Sequence, residues 1–334
     1  MIKRILNADW KYILPIINHM SKRSGRSRIA LFIDMYKTYK KYGYTWLNFY
    51  TFNFDRVTDI KTRRTFFGHR DTAKIYDEFK DSEELKYIQE KSLFIKKYKK
   101  FLGRETLELT GSNFDEFEIF VIKHPIFFAK ASNEKGGYGV KRVDASKYEV
   151  NDLYNDLVND SYTILEEPIV QHEEMNKLSK NSVNSIRVGT VVDSEGKVHV
   201  MYAVLRLSVD GKFVDNASQG GYWVKLSEDG YITKPLYRYN PTEEIIYKNP
   251  YNNIDYIGVK IPLFDEVKDL AIKAASEYKK IKYIGWDIAI TENGPVLIEG
   301  NDYPGVDIIQ TYVQLDDNTG MVEKFEKSLG MKLR

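Results

Sequence analysis

Three oxygen-bearing side chains near the C-terminal end of the chain could hold a metal ion. Asp287 lies in one apolar segment, and Glu299 and Asn301 lie in the next, after a Glu-Asn-Gly turn at 292–294. The pattern predicts a β-hairpin in which Asp287 and Glu299 lie nearly opposite and Glu299 and Asn301 share a face. Such oxygens suit Mg²⁺, which leaves its other positions to phosphates and water. The alternative is three satisfied polar residues at a strand end, although facing carboxylates repel unless a cation lies between them.

A lysine at the end of another apolar segment could bind phosphate. Pro125 precedes Ile126–Ala129, which is typical of a buried strand, and Lys130 follows at the mouth of that strand. A glycine-rich loop comes next and could turn several backbone N–H groups toward one anion. Its glycines are Gly136, Gly137 and Gly139. The alternative is an ordinary hairpin with an exposed lysine, because isolated glycine-rich loops are common.

Composition bounds the class of protein. The 334 residues are 43% hydrophobic and 29% charged, which is typical of a globular chain. The chain has no cysteine, which excludes a disulfide framework and a thiolate site. No apolar run reaches the length of a bilayer, and polar residues interrupt the first apolar run. The first residues therefore predict an amphipathic helix, not a signal peptide, and we expect a cytoplasmic protein.

Charge is distributed unevenly along the chain. Residues 1–74 hold 16 lysines and arginines against 5 acidic residues, a net charge of +11. The remaining residues have a net charge of −9, and aromatic residues crowd the segment 42–54. We expect the basic part to face an anionic partner such as a membrane surface or an acidic glycan. A nucleic acid is the weakest candidate because no recognition motif is present. The alternative is an ordinary helical subdomain with solvated lysines.

The coarse pattern predicts an α+β fold. Residues 1–100 are mostly helical in pattern, and strands and helices mix after about residue 104 without the regular βαβ alternation of a doubly wound sheet. The later segments predict a helix at 114–124 with Asn113 as its cap, strands at 163–171, 185–193 and 197–209, a helix at 263–281, and the hairpin strands at 285–291 and 295–301.

Taken in order, these segments resemble the ATP-grasp superfamily between residues about 88 and 310. The resemblance is greatest to the sugar-transfer-associated ATP-grasp branch, and the large lobe is also similar to the glutamate ligases that modify ribosomal proteins. The matching segments are 89–98 as the first-lysine helix, 127–140 as the second lysine and phosphate loop, 164–172 as the interlobe hinge, 185–191, 204–206 and 215–221 as three consecutive strands, and 285–305 as the metal hairpin.

The resemblance implies two α+β lobes that clasp ATP, preceded by a segment that the superfamily does not share. The implied division is a basic, aromatic, helical N-terminal region at 1–88, a small lobe with the phosphate loop at 89–165, and a large lobe with the metal site at 166–334. Many ATP-grasp ligases begin with a small α/β domain that helps to bind substrate. In this chain the basic helical region at 1–88 takes the place of that domain, so the resemblance does not identify the substrate.

The resemblance also implies a role for each candidate site residue. The phosphates of ATP would be held by Lys91 and Lys130, with the loop 132–139 closing over them. The nucleoside would be met by Glu166, Glu167 and Ile169 at the adenine and by His172 or Glu174 at the ribose. About two Mg²⁺ (or Mn²⁺) would be bound by Asp287, Glu299 and Asn301. The transferred phosphoryl group would be steadied by Arg187 and Arg206, and the junction with the acceptor would be lined by Asn216, Gly220 and Gly221.

The implied reaction is ATP-dependent ligation of a carboxylate to an amine through an acyl phosphate, with release of ADP. The sugar-transfer-associated branch further implies an amino acid or other amine joined to a uronic-acid carboxylate in surface-polysaccharide or capsule synthesis. The acceptor could be lipid-linked, at the inner membrane surface. Two alternatives stay open. One is a peptide ligase or a kinase acting on a sugar or small molecule, and the other is a non-catalytic nucleotide-binding scaffold for glycan enzymes.

Overall fold

The computed structural model describes residues 10–131, 139–180, 182–208, 220–239 and 242–334. The first part of the chain is helical, as the pattern predicts. Its helices are α1 (Trp10–Ser24), α2 (Arg28–Tyr42), α3 (Trp46–Thr51), α4 (Ile60–Arg64), α5 (His69–Asp77), α6 (Lys86–Gln89) and α7 (Lys91–Leu102), with a 3₁₀ turn at Glu83–Leu85. Ser27 caps α2 with its side chain, and Gly43 ends it in the left-handed conformation that favours glycine.

The aromatic segment 42–54 forms a core instead of a surface. We expected this segment to face a partner, but five of its rings are buried and pack against one another and Phe66. The buried rings are Tyr44, Phe49, Tyr50, Phe52 and Phe54. Large aromatic side chains supply the buried apolar area that holds these short helices together.

Part of the positive charge of this region is neutralised inside the molecule. Arg23 forms ion pairs with Asp55 at 2.6 Å and with Glu243 at 3.0 Å, and the buried Arg63 pairs with Asp34 at 2.7 Å. Glu243 lies in an edge strand of the larger sheet, so the pair with Arg23 fixes the helical region against that sheet. Fewer basic side chains are therefore available to a partner than the sequence count suggests.

Four described strands form the small sheet, which is antiparallel throughout with the order β1-β4-β2-β3. Its elements are β1 (Thr106–Glu108), α8 (Phe114–Lys123), β2 (Ile126–Ala131), β3 (Val140–Asp144), α9 (Val150–Asn159) and β4 (Tyr162–Glu166). The strand expected after Pro125 is confirmed. Asn113 takes the position before α8, but its side chain accepts from the backbone N–H of Thr110 and makes no cap bond to the helix, which is a correction.

Seven described strands form the large sheet, also antiparallel, in the order β11-β10-β5-β6-β7-β8-β9. Its elements are α10 (Glu173–Leu178), β5 (Ile186–Val192), β6 (Val198–Leu207), β7 (Tyr222–Lys225), β8 (Leu236–Tyr239), β9 (Glu243–Ile246), α11 (Phe264–Ser276), β10 (Tyr283–Thr291), β11 (Gly294–Asn301) and α12 (Val322–Leu329). The third strand expected over 215–221 instead begins at Tyr222, and residues 215–219 lie outside the described residues.

The predicted α+β class is confirmed by these two antiparallel sheets and the helices packed on them. Helix α7 presents Phe94, Tyr98 and Leu102 to the core of the large sheet, where Tyr98 meets Trp286 with ring centroids 5.5 Å apart. The division at residues 88 and 165 stays a prediction. Within the described part of the chain, no helix is long and apolar enough to cross a membrane.

Candidate active site

The predicted hairpin places the candidate metal ligands together. Asp287 in β10 is paired directly with Glu299 in β11, because a β-bulge between Asp287 and Ile288 shifts the register that the turn sets by one residue. The side chain of Asn301 lies beside Glu299, and its Nδ2 donates to Glu299 Oε1 at 3.3 Å. The three residues therefore form one cluster at the end of the hairpin, which confirms their predicted placement.

Two arginines on neighbouring strands hold Asp287. Nη2 of Arg187 donates to Asp287 Oδ2 at 2.9 Å, and Nη2 of Arg206 donates to the same oxygen at 2.8 Å. All three residues are buried, and Ser185 Oγ accepts a second bond from Arg206 at 2.7 Å. Burial raises the pKa of Asp287, but the two guanidinium groups outweigh it and lower that pKa to about 2. Within the described residues, these two guanidinium groups offset the negative charge of Asp287.

Glu299 has the opposite electrostatic character. It lies open to the cleft, while desolvation by the surrounding walls and the facing Asp287 carboxylate raise its pKa above the ordinary value. Arg187 and Lys130 act against this rise without cancelling it. Ionisation of this carboxyl group is unfavourable, and a cation bound on its open side would stabilise the ionised form.

Lys130 lies on the small sheet and faces this cluster. Its Nζ is 2.8 Å from Glu166 Oε2, and Arg104 Nη2 lies 2.9 Å from the same oxygen. Burial raises the pKa of Glu166, but Lys130 and Arg104 outweigh it and bring that pKa to about 2. The Lys130 ammonium is also near enough to Glu299 to lower its pKa, so the end of β2 approaches the end of the hairpin. The structure thus brings the predicted phosphate lysine and the predicted metal ligands into one cleft.

Lys91 approaches the same point from helix α7. Its Nζ donates to the backbone carbonyl oxygen of Ala131, the residue after Lys130. The first helical residue of α7 and the last strand residue of β2 are therefore in contact, which places both predicted phosphate-binding lysines at the start of the glycine-rich loop. Their roles toward ATP stay predictions.

Arg104 joins the two sheets, and we did not predict it from the sequence. Its Nη1 donates to Leu297 O in the hairpin at 2.7 Å, while its other nitrogens bind Glu166 in β4. It follows Gly103, which ends α7 at a φ of +58° with Val296 packed closely beside it. In the sequence, Arg104 is marked only by the glycine before it, which ends a helix. The sequence does not show that both sheets meet at this arginine.

The predicted nucleoside residues lie at the end of β4 and along the connection that follows it, where several of their side chains bind other protein groups. Glu167 Oε2 accepts from the backbone N–H of Glu105 at 3.0 Å, and Glu174 pairs with Lys177 at 2.6 Å. His172 Nδ1 accepts from the Glu174 backbone N–H and so caps helix α10. Ile169 is partly buried. Contacts of these side chains with adenine or ribose stay predictions, and Glu166 can offer only its backbone while its carboxylate binds Lys130.

The predicted loop and acceptor residues are only partly described. Gly136, Gly137 and Asn216 lie outside the described residues. Gly139 and Gly220 have φ values of +73° and +89°, a backbone conformation that favours glycine at each position. Gly221 is buried directly before β7. Their roles in loop closure and acceptor binding stay predictions.

The donor set fits a magnesium ion in its chemistry. No group of three or more His, Cys, Asp or Glu side chains suited to a metal occurs in the described ranges, so the candidate set consists of two carboxylates and one amide. Asp287 already accepts from two arginines, whereas Glu299 is open and has a raised pKa. A cation at Glu299 and Asn301, with Asp287 behind them, would relieve that unfavourable ionisation.

Comparison with known families agrees with this geometry. A family profile described as "Sugar-transfer associated ATP-grasp" matches residues 114–326, which is more than half of the chain and contains both sheets except β1. The chain belongs to this ATP-grasp family. Its fold is therefore the ATP-grasp fold, with the candidate cluster between the two sheets and an additional helical region before them.

Individual relatives of this ATP-grasp chain match it only in part. A protein named probable alpha-L-glutamate ligase, from Shewanella pealeana (strain ATCC 700345 / ANG-SQ1), is 40% identical over 65 residues, which cover 20% of this chain and 14% of the relative. The phosphoribosylamine–glycine ligase of Thermotoga maritima has a TM-score of 0.47 at 14% identity, covering 75% of this chain and 57% of that chain. The ATP-grasp ligase PsnB with its minimal precursor has a TM-score of 0.45 at 13% identity, covering 75% and 64%.

Proposed function

We propose that this protein is an ATP-dependent carboxylate–amine ligase that forms ADP and an amide or peptide bond. The observation that carries the proposal is the approach of Lys130 on the small sheet to Glu299 on the hairpin of the large sheet. One cleft then offers the Lys130 ammonium for the phosphates of ATP and oxygen ligands for the Mg²⁺ that accompanies those phosphates. Membership of the ATP-grasp family supports this interpretation.

The proposed reaction has two steps, formation of an acyl phosphate and its attack by the amine. An oxygen of the acceptor carboxylate attacks the γ-phosphorus of ATP, the bond from that phosphorus to the bridging oxygen breaks, and ADP leaves. The amine nitrogen then attacks the carbonyl carbon of the acyl phosphate, the bond from that carbon to the phosphate oxygen breaks, and inorganic phosphate leaves while the amine proton passes to solvent. Lys130 and Lys91 hold the phosphates, and Arg187 and Arg206 stabilise the charge on the transferred group.

Asp287, Glu299 and Asn301 would hold Mg²⁺, which neutralises phosphate charge when it is bound. Arg187 and Arg206 fix Asp287 from behind, so its carboxylate keeps one orientation toward the hairpin. Glu166 holds the Lys130 ammonium at the mouth of the cleft. Because Arg104 also pairs with Glu166, that carboxylate stays compensated when Lys130 turns to a phosphate.

We propose a uronic-acid carboxylate of a surface-polysaccharide precursor as the acceptor and an amino acid as the amine. The family description supports a sugar-linked acceptor, and the relative named as a probable glutamate ligase supports an amino acid as the amine. The net positive charge of residues 1–74 supports an acidic acceptor, which we place on a lipid carrier at the inner membrane surface.

A substrate screen tests this proposal. The enzyme is incubated with ATP, Mg²⁺, each amino acid, and glucuronic or galacturonic acid derivatives, and free phosphate and product masses are measured. We expect phosphate release with a new mass equal to sugar plus amine minus water. A phosphorylated sugar without loss of water would show that the protein is a kinase and not a ligase. ATP binding without turnover of any acceptor, including lipid-linked glycans and peptides, would favour a non-catalytic scaffold.

A further inference from the structure

The exposed face of helix α2 carries an apolar stripe with basic borders. Ile29 is 75% exposed and Ile33 is 46% exposed, although both are large aliphatic side chains. The stripe, which we call the α2 stripe, consists of Ile29, Phe32, Ile33, Tyr36 and Tyr39. These positions follow the spacing i, i+3, i+4, i+7 and i+10, which places them on one side of an α-helix.

The buried side of the same helix accounts for its fold without the stripe. Leu31 and Thr38 are buried on the opposite side, and Asp34 turns inward to pair with Arg26 and Arg63. The buried residues of the helix therefore lie on one side and its exposed apolar side chains on the other. The α2 stripe extends onto α1, where Leu14 is 47% exposed and the ring of Trp10 lies 6.3 Å from that of Phe32, tilted by 32°.

Charge around the α2 stripe is of one sign. Arg28 borders one side of the stripe, Lys37 and Lys41 border the other, and Lys40 lies at its C-terminal end. All four side chains are exposed, and no acidic residue of α2 is exposed. An exposed apolar helix face with basic borders is the pattern of a helix that lies in the interface of an anionic bilayer.

Helix α8 provides a contrast within the same molecule. Ile119 and Ile122 are 67% and 76% exposed, so α8 also exposes aliphatic side chains. Their exposed neighbours include Asp115, Glu116 and Glu118, which an anionic surface would repel. Exposure of isoleucine is therefore common to both helices, and the sign of the surrounding charge distinguishes them.

We propose that the α2 stripe docks this enzyme on the surface of a membrane that contains anionic lipids. The apolar side chains enter the boundary between headgroups and acyl chains, and the four basic residues contact lipid phosphates. This inference deepens the membrane-surface part of the proposed function. It does not depend on ligase activity, because docking requires neither ATP nor an acceptor.

Vesicle co-sedimentation of the full chain without ATP tests the proposal. We expect binding to vesicles of phosphatidylglycerol mixed with phosphatidylcholine, weaker binding at high salt, and little binding to phosphatidylcholine alone. The double variant Ile29→Glu, Ile33→Glu should lower the partition constant by about tenfold or more. Replacing Lys37 or Lys40 with alanine should lower it by roughly fivefold each.

The matched control is Ile119→Glu, Ile122→Glu, which makes the same change on α8 and should leave the partition constant unchanged. Circular dichroism and the melting temperature show that each variant is folded. Absence of binding to the anionic vesicles would overturn the proposal, as would binding that the α2 variant does not weaken. A dimer in analytical ultracentrifugation that the α2 variant abolishes would assign the stripe to a second copy and also overturn it.

Discussion

Replacing Glu299 with glutamine should abolish turnover without unfolding the protein. Glu299 is the carboxylate of the cluster that is open to the cleft. Among the described residues, no arginine is seen to donate a hydrogen bond to it. Removing its negative charge would weaken binding of the proposed Mg²⁺ that neutralises the phosphates of ATP. We expect this to cost ~4 kcal/mol of transition-state stabilisation, or about a thousandfold in rate. ADP formation measured on the purified Glu299→Gln variant tests the expectation.

The same variant should become relatively more stable as pH rises. The folded-state pKa of Glu299 is raised, so the folded protein binds this proton more tightly than the unfolded chain does. Ionising Glu299 therefore destabilises the wild type as pH rises from the unfolded pKa to above the folded pKa. Melting temperatures should coincide near pH 4, and that of the variant should be equal or higher at pH 8. A variant less stable than the wild type at pH 8 would contradict the raised pKa.

Replacing Asp287 with alanine should damage both stability and turnover. Asp287 is buried and binds two buried arginines, so its removal breaks two buried ion pairs. Removing one partner of a buried ion pair costs about 3–5 kcal/mol, a large part of the stability of an ordinary domain. Chemical denaturation should show the loss in the free energy of unfolding, and ADP formation should be abolished in the fraction that remains folded.

The control for this change is Asp269→Ala on the exposed side of α11, which should alter the free energy of unfolding by less than about 0.5 kcal/mol. An Asp287→Ala variant as stable as the wild type would show that the guanidinium groups find other partners. An active Asp287→Ala variant would remove Asp287 from the site. The contrast between Asp287 and Glu299 separates the carboxylate that holds the fold from the one that faces the cleft.

The sequence predicted the hairpin because the information is local: a Glu-Asn-Gly turn joins two apolar segments. The exact pairing of Asp287 with Glu299 also depends on a β-bulge between Asp287 and Ile288, which the sequence does not show. The strand that ends at Lys130 was predictable for the same reason, from Pro125 and the apolar run that follows it.

The partners of those residues depend on distant parts of the chain and were not predictable from spacing. The bonds of Arg104 to Glu166 and to Leu297 span 62 and 193 residues, respectively. The pairing of Arg187 with Asp287 spans 100 residues and required the order of strands in the large sheet. From the sequence, Arg187 could be placed on a strand facing the cleft but not assigned to the carboxylate that it holds.

The aromatic segment shows a second limit of sequence reasoning. A run of aromatic residues beside basic residues is compatible with both a binding surface and a core. The structure buries Tyr44 and Phe52, whereas helix α2 exposes the aromatic residues Phe32, Tyr36 and Tyr39. The difference depends on which side of each short helix meets its neighbours, which composition does not specify.

The most direct test of the proposed site is calorimetric titration with a non-hydrolysable ATP analogue, with and without Mg²⁺. We expect binding that Mg²⁺ strengthens, loss of that strengthening in Glu299→Gln, and weaker binding overall in Lys130→Met. Asp269→Asn, which removes a carboxylate from the exposed side of α11 outside the candidate site, serves as the control. A wild-type protein that binds no nucleotide, or binds it equally with and without Mg²⁺ and in Glu299→Gln, would contradict the account.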